Sequence, residues 1–210
     1  MSPTFDIFLA SGSPRRKDLL EREGVRFVVR VSEVDETLEP DLLRQPEEAA
    51  KKLAERKARA VVEDVLNDGY TGMAMFIGAD TVVATADKIY GTPEDEDDAA
   101  RILGELSGRA HQVITGVSVW LVSAEAASAD VSLGFRTFAE TSHIVFKELD
   151  EERIWDYIAT GEPMDKAGAY GIQGLGGELV DRVSGDFDNV VGLPVKRLLE
   201  EFAEFFEAAR

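Results

Sequence analysis

Residues 110–122 and 131–146 are two long runs of partly alternating apolar and polar side chains, separated only by the polar loop 123–130. A period of two marks strands with two different faces, so these runs predict a long antiparallel pair. The first half is patterned differently. Short apolar stretches at residues 6–10, 26–31 and 74–84 alternate there with helical patterns at 14–23 and 46–66, an order suited to parallel strands. A short partner strand at Ile89-Tyr90 precedes a helix with Thr92 as N-cap and acids in its first turn. Further on, the pattern gives a helix at 150–160 closed by Gly161, a glycine-rich segment at 168–177, a strand near 178–183 and a terminal helix from Pro194. A chain that satisfies both orders is mixed α/β, one elongated domain with two lobes. No repeat or linker divides it, so residues 1–210 are expected to form a single domain.

With 210 residues, 44% of them hydrophobic, the chain can bury a substantial core. A formal charge of −18 argues against binding duplex DNA or an anionic membrane, both of which reward a basic surface. The absence of cysteine excludes a thiol nucleophile, a disulfide framework or a cysteine metal site. No apolar run approaches the ~18 residues of a membrane span, and the N-terminal residues lack a basic region followed by an apolar stretch. The expectation is a soluble cytoplasmic protein.

Against this acidity one basic cluster stands out. The stretch Leu9-Ala10-Ser11-Gly12-Ser13-Pro14-Arg15-Arg16-Lys17 reads as strand, tight turn and helix start, with Ser13 as N-cap and Pro14 in the first helical position. Helix N-termini favour acids, because their unpaired N–H groups carry partial positive charge. Three cations there are either a solvated turn or half of an anion site. Phosphate is the usual anion, and Ser11, Gly12 and Ser13 are small enough to let it reach the backbone.

Two more residues break their local pattern. Lys57 falls on the apolar row Ala49, Leu53, Val61, Val65 of the long helix, where it either snorkels outward or points into a cleft. Asp80 interrupts the apolar strand Phe76-Ile77-Gly78-Ala79-Asp80-Thr81-Val82-Val83. A buried carboxylate needs a cation, a metal or several hydrogen bonds, so Asp80 is a structural acceptor, a metal ligand or a general base. Glu36, in an acidic loop, could complete an all-oxygen Mg²⁺ site with Asp80. The acids at 94–98 fit helix-dipole chemistry better than a metal cage, and His111 and His143 match no ligand spacing. In the segment 161–174, Gln173 has an amide able to read a base edge, while Tyr170 could stack on that base or sit in the core. Asp165 and Lys166 of the same segment are further candidate substrate contacts. No Walker or Rossmann glycine motif is present.

Together these blocks resemble the Maf-like nucleoside triphosphate pyrophosphatases: Leu9-Ala10-Ser11-Gly12-Ser13-Pro14-Arg15-Arg16, Glu55-Arg56-Lys57-Ala58, Gly78-Ala79-Asp80-Thr81, residues 161–177, Leu106-Ser107-Gly108 through Val113-Ile114-Thr115-Gly116-Val117, and Val190-Val191-Gly192-Leu193-Pro194. The resemblance implies an α/β fold with a mixed, elongated central β-sheet flanked by helices and two lobes with a cleft between them. It also implies metal-dependent hydrolysis of a nucleoside triphosphate to the monophosphate and pyrophosphate. It makes Asp80 the proton acceptor and sets Ser11, Arg15, Arg16, Glu36 and Lys57 around the phosphates and a Mg²⁺ or Mn²⁺ ion held by Asp80 and Glu36. Arg15, Thr81 and Gln173 match the family's specificity positions, and Ile172-Gln173-Gly174 looks like the branch preferring dTTP and UTP. The partner implied is the triphosphate, with no nucleic acid or membrane, and a homodimer is one assembly open to the chain. The other role attached to the family is nucleotide-dependent regulation of septum formation without turnover. One departure is visible. Relatives commonly carry a lysine before the proline of the acidic helix, whereas this chain has Gly91-Thr92-Pro93. The missing phosphate contact is worth about 1.5–3 kcal/mol unless Lys88 replaces it.

Overall fold

The computed structural model describes residues 5–31, 33–125 and 130–208. One seven-stranded sheet runs through it in the order β2-β1-β3-β5-β6-β7, with β4 paired to β3. The strands are β1 (Phe5–Ala10), β2 (Val28–Val29), β3 (Gly72–Ala84), β4 (Ile89–Tyr90), β5 (Ala110–Ala124), β6 (Val131–Phe146) and β7 (Val180–Ser184). β1 is parallel to β2 and β3, and every other pairing is antiparallel. The mixed sheet therefore follows the two orders read in the sequence. The expected loop at 123–130 begins two residues later, since β5 continues to Ala124, and its residues 126–129 lie outside the described residues.

The helices are α1 (Pro14–Arg22), α2 (Pro46–Asn67), α3 (Glu96–Leu106), α4 (Glu151–Ile158), α5 (Phe187–Val191), α6 (Val195–Glu201) and α7 (Ala203–Ala208). α2 covers one face, packing Ala58, Val61, Val62 and Val65 on Phe8, Phe76 and Trp120. The opposite face carries Leu19 and Leu20 of α1 together with Val195, Leu198 and Phe206, against Met75, Ile77, Val117 and Val119. A separate core forms at the far end of the sheet from Ile102, Leu103 and Leu106 of α3 with Ile144, Phe146, Ile158 and Tyr170. These cores are the two lobes.

Three local readings change. The strand expected at 26–31 is reduced to Val28–Val29, whose side chains are exposed. The acidic helix starts at Glu96, capped by Asp95, whose Oδ1 accepts the Asp98 N–H at 2.8 Å, and not at Thr92. Asp98 in turn accepts the Glu94 N–H, so the acids themselves form the cap and leave Thr92 free upstream. α5 and the break between α6 and α7 are additions to the sequence reading.

The cleft lies where the sheet is incomplete. β1 covers one edge of β3 only as far as Gly78, and β4 resumes that edge at Val83. Among the described residues no strand covers 79–82 on that side, although β5 pairs with all of them on the other. The turn after β1 and the start of α1 open toward this notch, as loops at strand C-termini do in α/β sheets.

Candidate active site

Asp80 and Thr81 occupy the notch. Gly78 and Gly116 bring α2 down beside them. A Cβ on Gly78 would stand 2.5 Å from the Ala54 carbonyl oxygen, and one on Gly116 would overlap the Ala50 carbonyl. Because both positions are glycine, α2 seats directly on β3 and β5 and delivers Lys57 to Asp80. Lys57 Nζ lies 2.5 Å from Asp80 Oδ1 and 3.0 Å from Glu36 Oε1. Lys57 thus takes the inward alternative. Asp80 is 7% exposed, and burial pushes its carboxyl above the usual carboxylate range against the opposing pull of Lys57 and Arg16, with Glu36 adding to the rise.

Arg16 also turns inward. Its Nε donates to the Gly192 carbonyl at 2.8 Å, Nη1 to Ser11 Oγ at 3.0 Å and Nη2 to Thr81 Oγ1 at 3.1 Å. Burial lowers its pKa, with nearby Asp80 opposing. Arg16 is therefore no part of a solvated turn, whereas Lys17 is exposed and pairs with Glu21 on its own helix. Ser13 stands at the N-cap, but its hydroxyl makes no capping bond; its backbone N–H instead donates to Ser11 Oγ. Ser11 Oγ accepts from two donors, which leaves its own proton to give. Thr81 Oγ1 lies 2.9 Å from Thr115 Oγ1, which donates its proton to the Asn189 carbonyl. Thr81 must then donate to Thr115, so only a lone pair and its methyl group face a ligand.

These residues line a cavity of about 830 Å³ with Arg15, Glu36, Thr92, Asp165, Lys166 and Gln173. Of the sequence candidates, Ser11 alone is absent from the wall; it stands behind Arg16 and holds it. Asp165 bridges Lys166 at 2.6 Å and Arg15 at 3.8 Å, and its carboxyl lies below the usual range because of the Lys166 bond. Gln173 is exposed, and its amide has no hydrogen bond among the described residues. Lys88 does not stand in for the absent lysine. It is held by both oxygens of Glu105 at 3.2 and 2.9 Å and lies over the Tyr90 ring.

Tyr170 belongs to the core, at the cavity wall. It is 6% exposed, packs edge-on against Phe146 and His111, and bonds His111 Nε2 at 2.9 Å. His111 is accordingly structural, and burial lowers its pKa to about 4. Sequence reading missed Glu162, which lies on the wall and accepts from Tyr157 Oη and from the Leu175 and Gly176 N–H groups. Its one signal was a lone acid beside the glycine-rich run.

The charged groups on the wall are balanced. Arg15, Arg16, Lys57 and Lys166 face Glu36, Asp80, Glu162 and Asp165. Among the described residues no cluster of three or more potential metal ligands exists. Asp80 and Glu36, two hard oxygen donors meeting at Lys57, are the residues that could hold one Mg²⁺ or Mn²⁺ ion. No described helix is long and apolar enough to cross a membrane.

The family model described as Maf-like protein matches residues 6–205. The dTTP/UTP pyrophosphatase of Geobacillus sp. (strain WCH70) is 45% identical over 195 residues, covering 93% of this chain and 95% of that protein. The dTTP/UTP pyrophosphatase of Bacillus thuringiensis subsp. konkukian is 44% identical over 199 residues, 95% of each chain. A human protein, the probable bifunctional dTTP/UTP pyrophosphatase/methyltransferase protein, is 40% identical over 97% of this chain, which spans 32% of that longer protein.

Proposed function

The chain belongs to the Maf-like protein family, and from that premise we propose that it hydrolyses dTTP and UTP to the monophosphate and pyrophosphate. The observation that carries the chemistry is the buried Asp80 carboxylate held by Lys57 beside Glu36 in a cavity wide enough for a nucleotide. Water attacks the α-phosphorus. A bond forms between the water oxygen and that phosphorus, the bond to the bridging oxygen breaks, and its electron pair leaves with pyrophosphate. Asp80 takes the water proton, a role helped by a carboxyl raised above its usual range. Lys57 orients Asp80 and, with Arg15 and Arg16, binds the phosphates and opposes the charge that develops in the transition state. Ser11 acts behind Arg16. Asp80 and Glu36 are the residues that would hold the divalent cation, which when bound neutralises phosphate charge that the balanced wall leaves uncovered. Gln173 reads the pyrimidine edge, and Arg15 and Thr81, which line the same cavity, are the other specificity positions. One sheet shared by both lobes supports reading the chain as one domain, and the absence of cysteine suits a reducing compartment, the cytoplasm.

The test is incubation with Mg²⁺ or Mn²⁺ and a panel of normal and modified triphosphates, with both products measured. Equimolar pyrophosphate and monophosphate from dTTP and UTP are expected, and Asp80→Asn should lose most turnover while still binding nucleotide. Release of orthophosphate would move the attack to the γ-phosphorus. Tight binding with no product would favour the regulatory reading.

A further inference from the structure

Glu162 does more than sit on the wall. Its Oε1 accepts from Tyr157 Oη at 2.8 Å and from the Gly176 N–H at 3.0 Å, while Oε2 accepts the Leu175 N–H at 2.9 Å. Tyr157 Oη in turn accepts the Gly171 N–H at 3.1 Å. One carboxylate and one phenol thus fasten both ends of the segment 171–176, and Gln173 projects from between them.

The glycines of this segment fit those side chains. A Cβ on Gly174 would overlap the Glu162 carboxylate, one on Gly176 would overlap the Tyr157 hydroxyl, and one on Gly171 would stand 2.6 Å from Lys166 Cε. Lys166 Nζ closes the cluster by donating to the Glu162 carbonyl at 2.7 Å. The glycine run therefore wraps around the protein's own Glu162, Tyr157 and Lys166, and the absence of a Cβ serves that wrapping rather than the approach of a ligand. Ile172 anchors the segment by packing on both cores, which leaves the next residue, Gln173, exposed at the cavity with its amide uncommitted.

We infer that Glu162, acting through Tyr157, is a positioning residue for base selection: it fixes the 171–176 segment so that the Gln173 amide meets the base at a set place. The inference rests on the reading of Gln173 given under the proposed function. It does not require turnover, because selection is already expressed in binding.

The experiment measures dissociation constants of the whole protein for the α,β-imido analogues of dTTP and dGTP and for inorganic pyrophosphate. Wild type is compared with Glu162→Gln, Tyr157→Phe and Gln173→Ala. The preference for the dTTP analogue should fall about tenfold in Glu162→Gln, the scale of one or two lost hydrogen bonds, and less in Tyr157→Phe. Pyrophosphate affinity should not change, since Arg15, Arg16 and Lys57 are untouched. An unaltered preference in both variants overturns the inference. So does a loss of pyrophosphate affinity that matches the loss for the dTTP analogue, because Glu162 would then be a general staple of the fold. If Glu162→Gln fails to fold, Tyr157→Phe decides. A preference that survives Gln173→Ala also overturns the inference, because the amide would then not be what the segment presents to the base. Equal affinity of the wild type for both analogues overturns the inference together with the pyrimidine reading. Failure to release pyrophosphate from dTTP itself strikes the proposed reaction alone.

Discussion

At the residue scale, Thr92 and His111 make the clearest demands. Thr92 lies on the cavity wall and brings no charge to it, and Lys88 is bound to Glu105 instead. Thr92→Lys should lower KM for dTTP by about tenfold, the worth of one charge-assisted phosphate contact. Steady-state kinetics reads this directly, and an unchanged KM would mean that phosphate does not reach this wall. His111 gives a pH signature in stability. Its folded pKa of about 4 lies below the ordinary 6.5, so between those values the unfolded chain binds a proton that the folded one refuses. Stability is therefore full above pH 6.5 and declines toward pH 4, by up to about 3 kcal/mol from this group. Denaturant unfolding across that window should show a shallower slope for His111→Gln than for wild type. Lys57 and Asp80 were legible in the sequence because each puts a charge into a regular apolar pattern, where physics demands a reason. Glu162 was not. A surface-type acid next to glycines looks like any loop until the N–H groups that surround it are placed.

At the element scale, the site depends on how closely α2 sits on the sheet. Gly116→Ala would push against the Ala50 carbonyl, and overpacking of this kind typically costs about 1–3 kcal/mol. It should also draw Lys57 off Asp80, so urea unfolding and kcat should fall together. A rate that survives the loss of stability would show that the helix seat is not what sets Lys57. Long elements with strong periodicity, such as α2, β5 and β6, were readable from sequence because one face of each is paired or packed along most of its length. Short elements depend on tertiary company. Val28–Val29 keeps only a two-residue pairing with β1, and the five-residue α5 exists because Asp186 caps it and buried Asn189 ties it to Val113, Thr115 and Ser142. The start of α3 was misplaced because Thr92-Pro93 mimics a helix opening, whereas three residues later Asp95 caps the Asp98 N–H and Asp98 accepts the Glu94 N–H.

At the scale of the whole molecule, a charge of −18 surrounds a cavity whose own charges balance. An anionic substrate is therefore repelled at long range and held only at contact. Raising ionic strength from about 0.01 to 0.15 M shortens the screening length from about 30 to 8 Å, so kcat/KM should rise with salt before it levels off. A monotonic fall would mean that local cations at the mouth dominate the approach. The fold class, the order of parallel and antiparallel strands and the two lobes followed from patterning. The notch between β1 and β4 did not, because the point at which a neighbouring strand stops leaves no trace in the strand it abandons. That notch has a mechanical consequence. β3, β5 and β6 pass unbroken from one core to the other, so among the described residues the halves are joined by sheet and not by a loop about which they could swing. The cavity is a slot cut in a continuous plank: the lobes can flex only as the plank bends, and ligands must enter past the side chains and loops at its rim.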